Sequence, residues 1–216
     1  LQATGDTRNE TIAWNVLGIY YQDIGKYQEA NEAYDHALEL CKKIGNRNTP
    51  VYILYNKAIV ARYEIRWKVA LDHLLKGLKM AEESKDSYII AAFHSQLGLV
   101  YLNLGRVNEA EKHSSQALSI RKEIGSEKMT PDDLSVLAQV HLNLTDRKRA
   151  LEYATQTVKL ISDNNGIGPD NTLQDAHMAF QVFKQLGCEV EAREALQLAY
   201  DLVLQRAEHI QETELR

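Results

Sequence analysis

Along this chain small and large apolar residues return at three- and four-residue spacing, which places them on one buried stripe of an α-helix. Trp14, Leu17, Gly18 and Tyr21 form one such run, and Ala30, Tyr34 and Ala37 form the next. His94, Leu97, Gly98, Tyr101, Ala110, Ser114 and Ala117 repeat the arrangement. Alanine falls at positions 30, 70, 110, 150 and 192, in steps of 40, 40, 40 and 42 residues. A fixed period of this size predicts an array of helix pairs, each burying its stripe against the next. The second block keeps Leu54, Ala58, Ala61, Leu74 and Gly77, and the fourth keeps Leu134, Leu137, Ala138 and Ala154. The fifth keeps Phe183, Gly187, Leu196 and Ala199 but departs at Phe180, which stands in line with Gly18 and Gly98.

Turn and cap residues divide the pattern. Gly25, Gly105 and Gly187 each follow a helical run, as expected of the left-handed residue that ends a helix. All three prolines, Pro50, Pro131 and Pro169, precede the first helix of a pair. Thr49-Pro50 and Thr130-Pro131-Asp132-Asp133 predict an N-cap, a proline at the first helical position and an acidic first turn. The repeats are expected at about 10–49, 50–86, 87–129, 130–168 and 169–211, within one array covering 1–216. Gly5, Gly45 and Gly125 share a phase, so residues 1–9 are expected to be the tail of a preceding repeat. With no polar capping helix apparent at either end, the chain reads as an excerpt from a longer protein.

The run Trp14-x-x-Leu17-Gly18-x-x-Tyr21, followed by Ala30, Tyr34 and Ala37, resembles the tetratricopeptide repeat (TPR) family. The resemblance covers essentially the whole chain. It implies an all-α fold, a right-handed superhelical solenoid of antiparallel helix pairs. A forty-residue period is longer than the family's usual thirty-four, so second helices and loops are expected to be extended. Such long repeats are similar to the sensor arrays of bacterial maltose-regulator-type signalling ATPases, and to the repeats of kinesin light chains and cell-polarity scaffolds.

Composition narrows the function. The net charge is −5 with both signs interspersed, which argues against direct nucleic-acid binding. There is no twenty-residue apolar run and no signal-peptide pattern, so no membrane span is expected. Two cysteines in this length point to a reducing, cytoplasmic setting, and no disulfide is expected between Cys41 and Cys188. The seven histidines are scattered, with no HExxH and no CxxC, so no metal is expected. The Gly-rich stretch Asn164-Asn165-Gly166-Ile167-Gly168-Pro169 lacks the Lys-Ser/Thr of a phosphate loop. It is expected to absorb the two extra residues of the last period. No catalytic set and no cofactor motif can be assembled, and the chain is read as a non-enzyme. Arg147-Lys148-Arg149 is the densest basic cluster, expected on a solvated helix start.

The resemblance implies that first helices line a concave face. Its candidate partner-binding residues are Asn15 in the first repeat, and Tyr52, Tyr55, Asn56, Arg62 and Tyr63 in the second. Asn103 continues it in the third repeat, with Gln139 and Asn143 in the fourth. Ser95, Gln96, Leu99, Ser135 and His177 are expected beside them. Tyrosine and arginine concentrate interface energy, and Asn and Gln can satisfy the amides of an extended peptide. Arg62 and Asn103 are expected to be exposed. The carboxylate clamp of chaperone-tail binders is not matched, since of Asn15, Ile19, Asn56, Ala92 and Gln96 only Asn56 agrees. The expected function is a scaffold that binds a partner peptide or helix. The alternative is a sensory module of a signalling ATPase or transcriptional regulator that takes a small ligand or inhibitory partner. Uncapped ends would also permit self-association.

Overall fold

The computed structural model describes residues 2–164 and 171–208, and of the side chains of residues 2–6, 206 and 208 nothing is used. Ten α-helices are present among the described residues. They are α1 (Gln2–Asp23), α2 (Tyr27–Ile44), α3 (Thr49–Tyr63), α4 (Trp67–Ser84), α5 (Ser87–Asn103), α6 (Val107–Glu123), α7 (Pro131–Asn143), α8 (Arg147–Asp163), α9 (Thr172–Leu186) and α10 (Glu189–Glu208). A short 3-10 turn, Glu127–Met129, precedes α7. No strand occurs among the described residues.

The helices fall into two compact units, one ending at Leu104 and one starting at Gly105. In the first unit α1 packs on α2, α2 on α3, α3 on α4 and α4 on α5. In the second the same order runs from α6 to α10, and α7 also packs directly on α9. The second helices α2, α4 and α8 are therefore each covered on one side by their own partner and on the other by the next first helix.

Small residues at the crossings make this packing possible. Ala30, Ala70, Ala110 and Ala150 are fully buried and Ala192 nearly so. Gly18 lies under the ring of Tyr34 and Gly77 under that of Phe93; a Cβ at either glycine would collide with the ring. Around them Ala30, Tyr34, Ala37, Cys41, Ile53 and Val60 form one core cluster in the first unit. Ala138, Ala150, Ala154, Ala179, Val182 and Phe183 form one in the second, with Phe180 packed against it.

The turns repeat as regularly as the core. Gly25, Gly105 and Gly187 have φ of +75°, +72° and +79°. The second and fourth repeats adopt the same left-handed turn with Ile65 (φ +59°) and Thr145 (φ +60°). A β-branched residue there is strained by roughly 1–2 kcal/mol. Ile65 is exposed, so replacing it removes little packing. Ile65→Gly is expected to raise stability by about 1 kcal/mol after the glycine's entropy cost, read as a higher urea midpoint. A lower midpoint would show that the turn is not strained.

Several local expectations change. Thr49 is the first residue of α3 and not its cap. The capping oxygen is Asn46 Oδ1, which accepts from the Asn48 and Thr49 amides at 3.0 and 3.2 Å. Thr130 does stand at the N-cap of α7, but its hydroxyl donates backwards to the Glu127 carbonyl at 2.6 Å. Asp86 and Asp146 cap α5 and α8 through their side chains. The Asp146 carboxylate also offsets the exposed Arg147-Lys148-Arg149 cluster at the same helix start. Helix α1 runs unbroken through Gly5, so no turn separates residues 2–9 from the first repeat. Pro169, the loop from Asn165 onwards and the residues beyond Glu208 lie outside the described residues.

Candidate partner-binding surface

In the first unit the candidate residues lie on α1, α3 and α5. The second-repeat aromatics divide by helical phase. Tyr52 and Tyr63 are each about half exposed, at 48% and 47%. Tyr55 turns inward and meets the Phe93 ring edge-on at 5.5 Å. Asn56 is half-buried.

Arg62 corrects the expectation of exposure: it is buried, at 5%. Its guanidinium donates to the side-chain oxygen of Gln96 on α5, itself buried. It also lies 5.7 Å from the centre of the Tyr63 ring. Tyr63 in turn stacks on Tyr27, with centroids 5.8 Å apart and planes 20° apart. A buried cation on one side and the partly buried Tyr27 on the other thus hold the half-exposed Tyr63 ring, an arrangement that presents ring area with little rotamer entropy left to lose.

Asn15 is half-buried on α1, and its Oδ1 is shielded from solvent with no hydrogen-bond partner among the described residues. Leaving a shielded acceptor bare costs about 1–3 kcal/mol. Asn103 is exposed as a residue, and its amide donates to the Leu99 carbonyl one turn earlier at 2.9 Å. Ser95, Gln96 and Leu99, expected along the same face, are buried. Helix α5 therefore supports the surface and contributes little of it.

In the second unit the polar candidates are mostly spent inside the fold. Gln139 Nε2 donates to the Met178 carbonyl at 3.0 Å and reaches Gln181 Oε1 at 3.4 Å. Asn143 is exposed. Ser135 is buried, donating to Asp175 Oδ1 at 2.7 Å. The acidic turn of α7 also goes inward. Asp133 is fully buried and takes an ion pair from Arg121 at 2.5 Å, while Asp132 accepts from Asn171 at 3.1 Å. Asp175 lies in the same cluster. Burial pushes its pKa well above the usual aspartate value, and the charge of Asp132 adds to the effect.

One feature of this unit has no counterpart among the candidates. An apolar cleft of about 520 Å³ opens between α9 and α10, lined by Leu173, Gln174, His177, Leu196, Ala199, Tyr200 and Val203. Its signal in the sequence is the i, i+4, i+7 spacing of Leu196, Tyr200 and Val203. Among the described residues no three His, Cys, Asp or Glu side chains converge to hold a metal ion. No helix there is long and apolar enough to cross a membrane.

Solved structures share this helical arrangement at low sequence identity. A Rap protein in complex with the competence and sporulation factor superposes with a TM-score of 0.77 at 14% identity, covering 90% of this chain and 54% of that one. The Rap conjugation gene regulator of plasmid pLS20, bound to the Phr* peptide, gives 0.76 at 17% identity, with 96% and 57% covered. BtubC (BKLC) from P. vanneervenii gives 0.70 at 15% identity, with 98% and 91% covered. The chain spans just over half the length of the two Rap structures. No curated protein matches it in sequence. The tetratricopeptide repeat model matches residues 9–83 and again 88–162. With most of its length matched in two consecutive stretches, the chain belongs to the tetratricopeptide repeat family.

Proposed function

We propose that the protein is a non-enzymatic interaction scaffold whose first unit binds an extended peptide segment of a partner. The carrying observation is the exposed Tyr63 ring held on Tyr27 and on the buried Arg62–Gln96 pair. Rigid, half-exposed tyrosines of this kind are what interface hot spots are made of. Tyr52 and Asn56 on α3 would complete the surface, with apolar area and an amide close together in sequence.

The two Rap structures were solved with a bound factor or peptide, which favours a peptide over a metabolite as the ligand class. Their regulatory setting favours a second reading of the same surface, in which the bound peptide is a signal and the array is the sensory part of a regulator. A cytoplasmic location goes with either reading.

The test is selection from a random peptide library on the immobilised chain, followed by fluorescence anisotropy with the enriched peptides. Tyr52→Ala/Tyr63→Ala is expected to weaken binding at least about ten-fold, a loss of roughly 1.4 kcal/mol or more. Tyr200→Ala, an exposed tyrosine on α10, should leave it unchanged. Equal affinity for all three proteins would place the binding elsewhere, and failure to enrich any peptide would sink the proposal.

A further inference from the structure

Lys57 breaks the repeat at a core position. The residues that stand there in later repeats, Leu97, Leu137 and Ala179, are buried apolar side chains, and the first repeat has Leu17. Lys57 takes the same place on α3 and is buried too, at 8%. Its stem fills the leucine's space, and its ammonium reaches Asp35 on α2, 2.5 Å from Oδ1. The Asp35 side chain is 61% exposed, so the pair runs from the interior of the first unit to its surface.

His73 adds a second irregularity from α4, which also packs on α3. Its Nδ1 is shielded from solvent and has no hydrogen-bond partner among the described residues. A neutral ring can leave that nitrogen as a bare acceptor. The imidazolium carries N–H at both ring nitrogens, whichever tautomer it came from, and the proton on Nδ1 would find no acceptor. Four charged groups face the ring. Lys57 of α3 and Lys76 of the same helix oppose protonation, whereas Asp72 of the same helix and Asp35 of α2 favour it. Asp72 and Lys76 pair with each other at 2.7 Å, and Asp35 is largely in solvent. Helix α5, also packed on α4, has no lysine, arginine or carboxylate; its titratable side chains are Tyr88, His94 and Tyr101. Burial and the buried ammonium therefore decide the balance.

We infer that Asp35, Lys57 and His73 form an acid-sensitive joint linking α2, α3 and α4, in which His73 stays neutral while the joint is closed and takes a proton from solvent only as it opens. Acid thus favours the open form. Burial of the ring first, and the Lys57 charge second, hold the pKa of His73 below the ordinary histidine value. Between that lowered value and the ordinary one, unfolded chains bind more protons than folded ones. The joint's stability is complete above the ordinary histidine pKa and is lost as pH falls through this window.

The experiment is urea unfolding of the full chain at a series of pH values, followed by tryptophan fluorescence. Both tryptophans, Trp14 and Trp67, lie in the first unit, so the signal reports that unit. From about pH 7.5 to about pH 5.5 the wild-type midpoint is expected to fall by about 0.5 M more than that of His73→Ala. Alanine already stands at this position of the second helices as Ala33 and Ala195, so the variant suits the fold. Lys57→Leu restores the residue of the neighbouring repeats and should lose part of the drop, because the opposing charge goes while Nδ1 stays shielded. Equal falls for wild type and His73→Ala would overturn the inference. So would a Lys57→Leu chain that keeps the whole drop, or a wild-type midpoint that rises on acidification relative to His73→Ala.

Discussion

Asp133→Ala is expected to destabilise the second unit by about 3–5 kcal/mol, the largest effect of any single substitution considered. Arg121 and Asp133 meet at 2.5 Å with side chains 8% and 0% exposed. Removing the carboxylate leaves a guanidinium in the α6–α7 interface with its charge uncompensated, and breaking one side of a buried pair carries a cost of that size. The register says what would relieve it. Arg121 occupies the position held by Cys41 and Ala81, and Asp133 the position held by Ile53 and Phe93. The double variant Arg121→Ala/Asp133→Ile therefore rebuilds the apolar contact found between α2 and α3. It should recover most of the loss, since replacing a buried ion pair with packed apolar residues is often neutral or stabilising. Urea unfolding of the four proteins of this cycle measures the coupling directly. A loss below about 1 kcal/mol for Asp133→Ala would mean that water reaches the pair.

Asp175→Asn should have the opposite sign at neutral pH, stabilising the protein by roughly 1–3 kcal/mol. Desolvation first, and then the charge of Asp132 with a hydrogen bond donated to that residue by the protonated form, raise the pKa of Asp175. A raised aspartate pKa means that the folded state holds a proton which the unfolded state has already released. Stability is then greatest below the unfolded aspartate pKa and falls as pH rises towards the folded value. The asparagine keeps an oxygen to accept from Ser135 Oγ, now at 2.7 Å from Asp175 Oδ1, and has an N–H to offer Asp132. Urea midpoints across the pH range should decline for wild type above the usual aspartate value and stay flat for the variant. A wild-type curve that is flat there, or a variant less stable at neutral pH, would show that Asp175 ionises without penalty.

These two aspartates also mark where the sequence stops being readable. The helix pairs, the buried alanines and the left-handed glycines follow from local spacing, and the structure places them where the period predicts. Asp132 and Asp133 look like an acidic first turn facing solvent because their local context is a helix start. What buries them is long-range: Arg121 lies across a turn on the preceding helix, and Asn171 is thirty-nine residues further on. Arg62 fails in the same way. Near the end of a helix it reads as a solvated cation, and only its partner Gln96, thirty-four residues away, draws it inside. Tyr52 and Tyr55 could not be told apart by composition. Three residues of helical phase decide that one ring is offered to solvent and the other packs on Phe93. Ser95 and Ser135 were readable only as polar positions on first helices, whereas neighbouring helices bury both.

The left-handed turns alternate in kind along the array. Odd-numbered repeats use glycine at this turn (Gly25, Gly105, Gly187), whereas even-numbered ones use a β-branched residue (Ile65, Thr145). The close helix crossing alternates in step through the first four repeats, with Gly18 and Gly98 in one class and Ala58 and Ala138 in the other, and Phe180 breaks the pattern in the fifth. The turn after the second helix alternates as well, where Gly45 and Gly125 bracket Lys85. The turns thus have a period of two repeats, about eighty residues, and a β-branched substitution is expected to be tolerated less well at Gly25 or Gly105 than the residues already standing at the even turns.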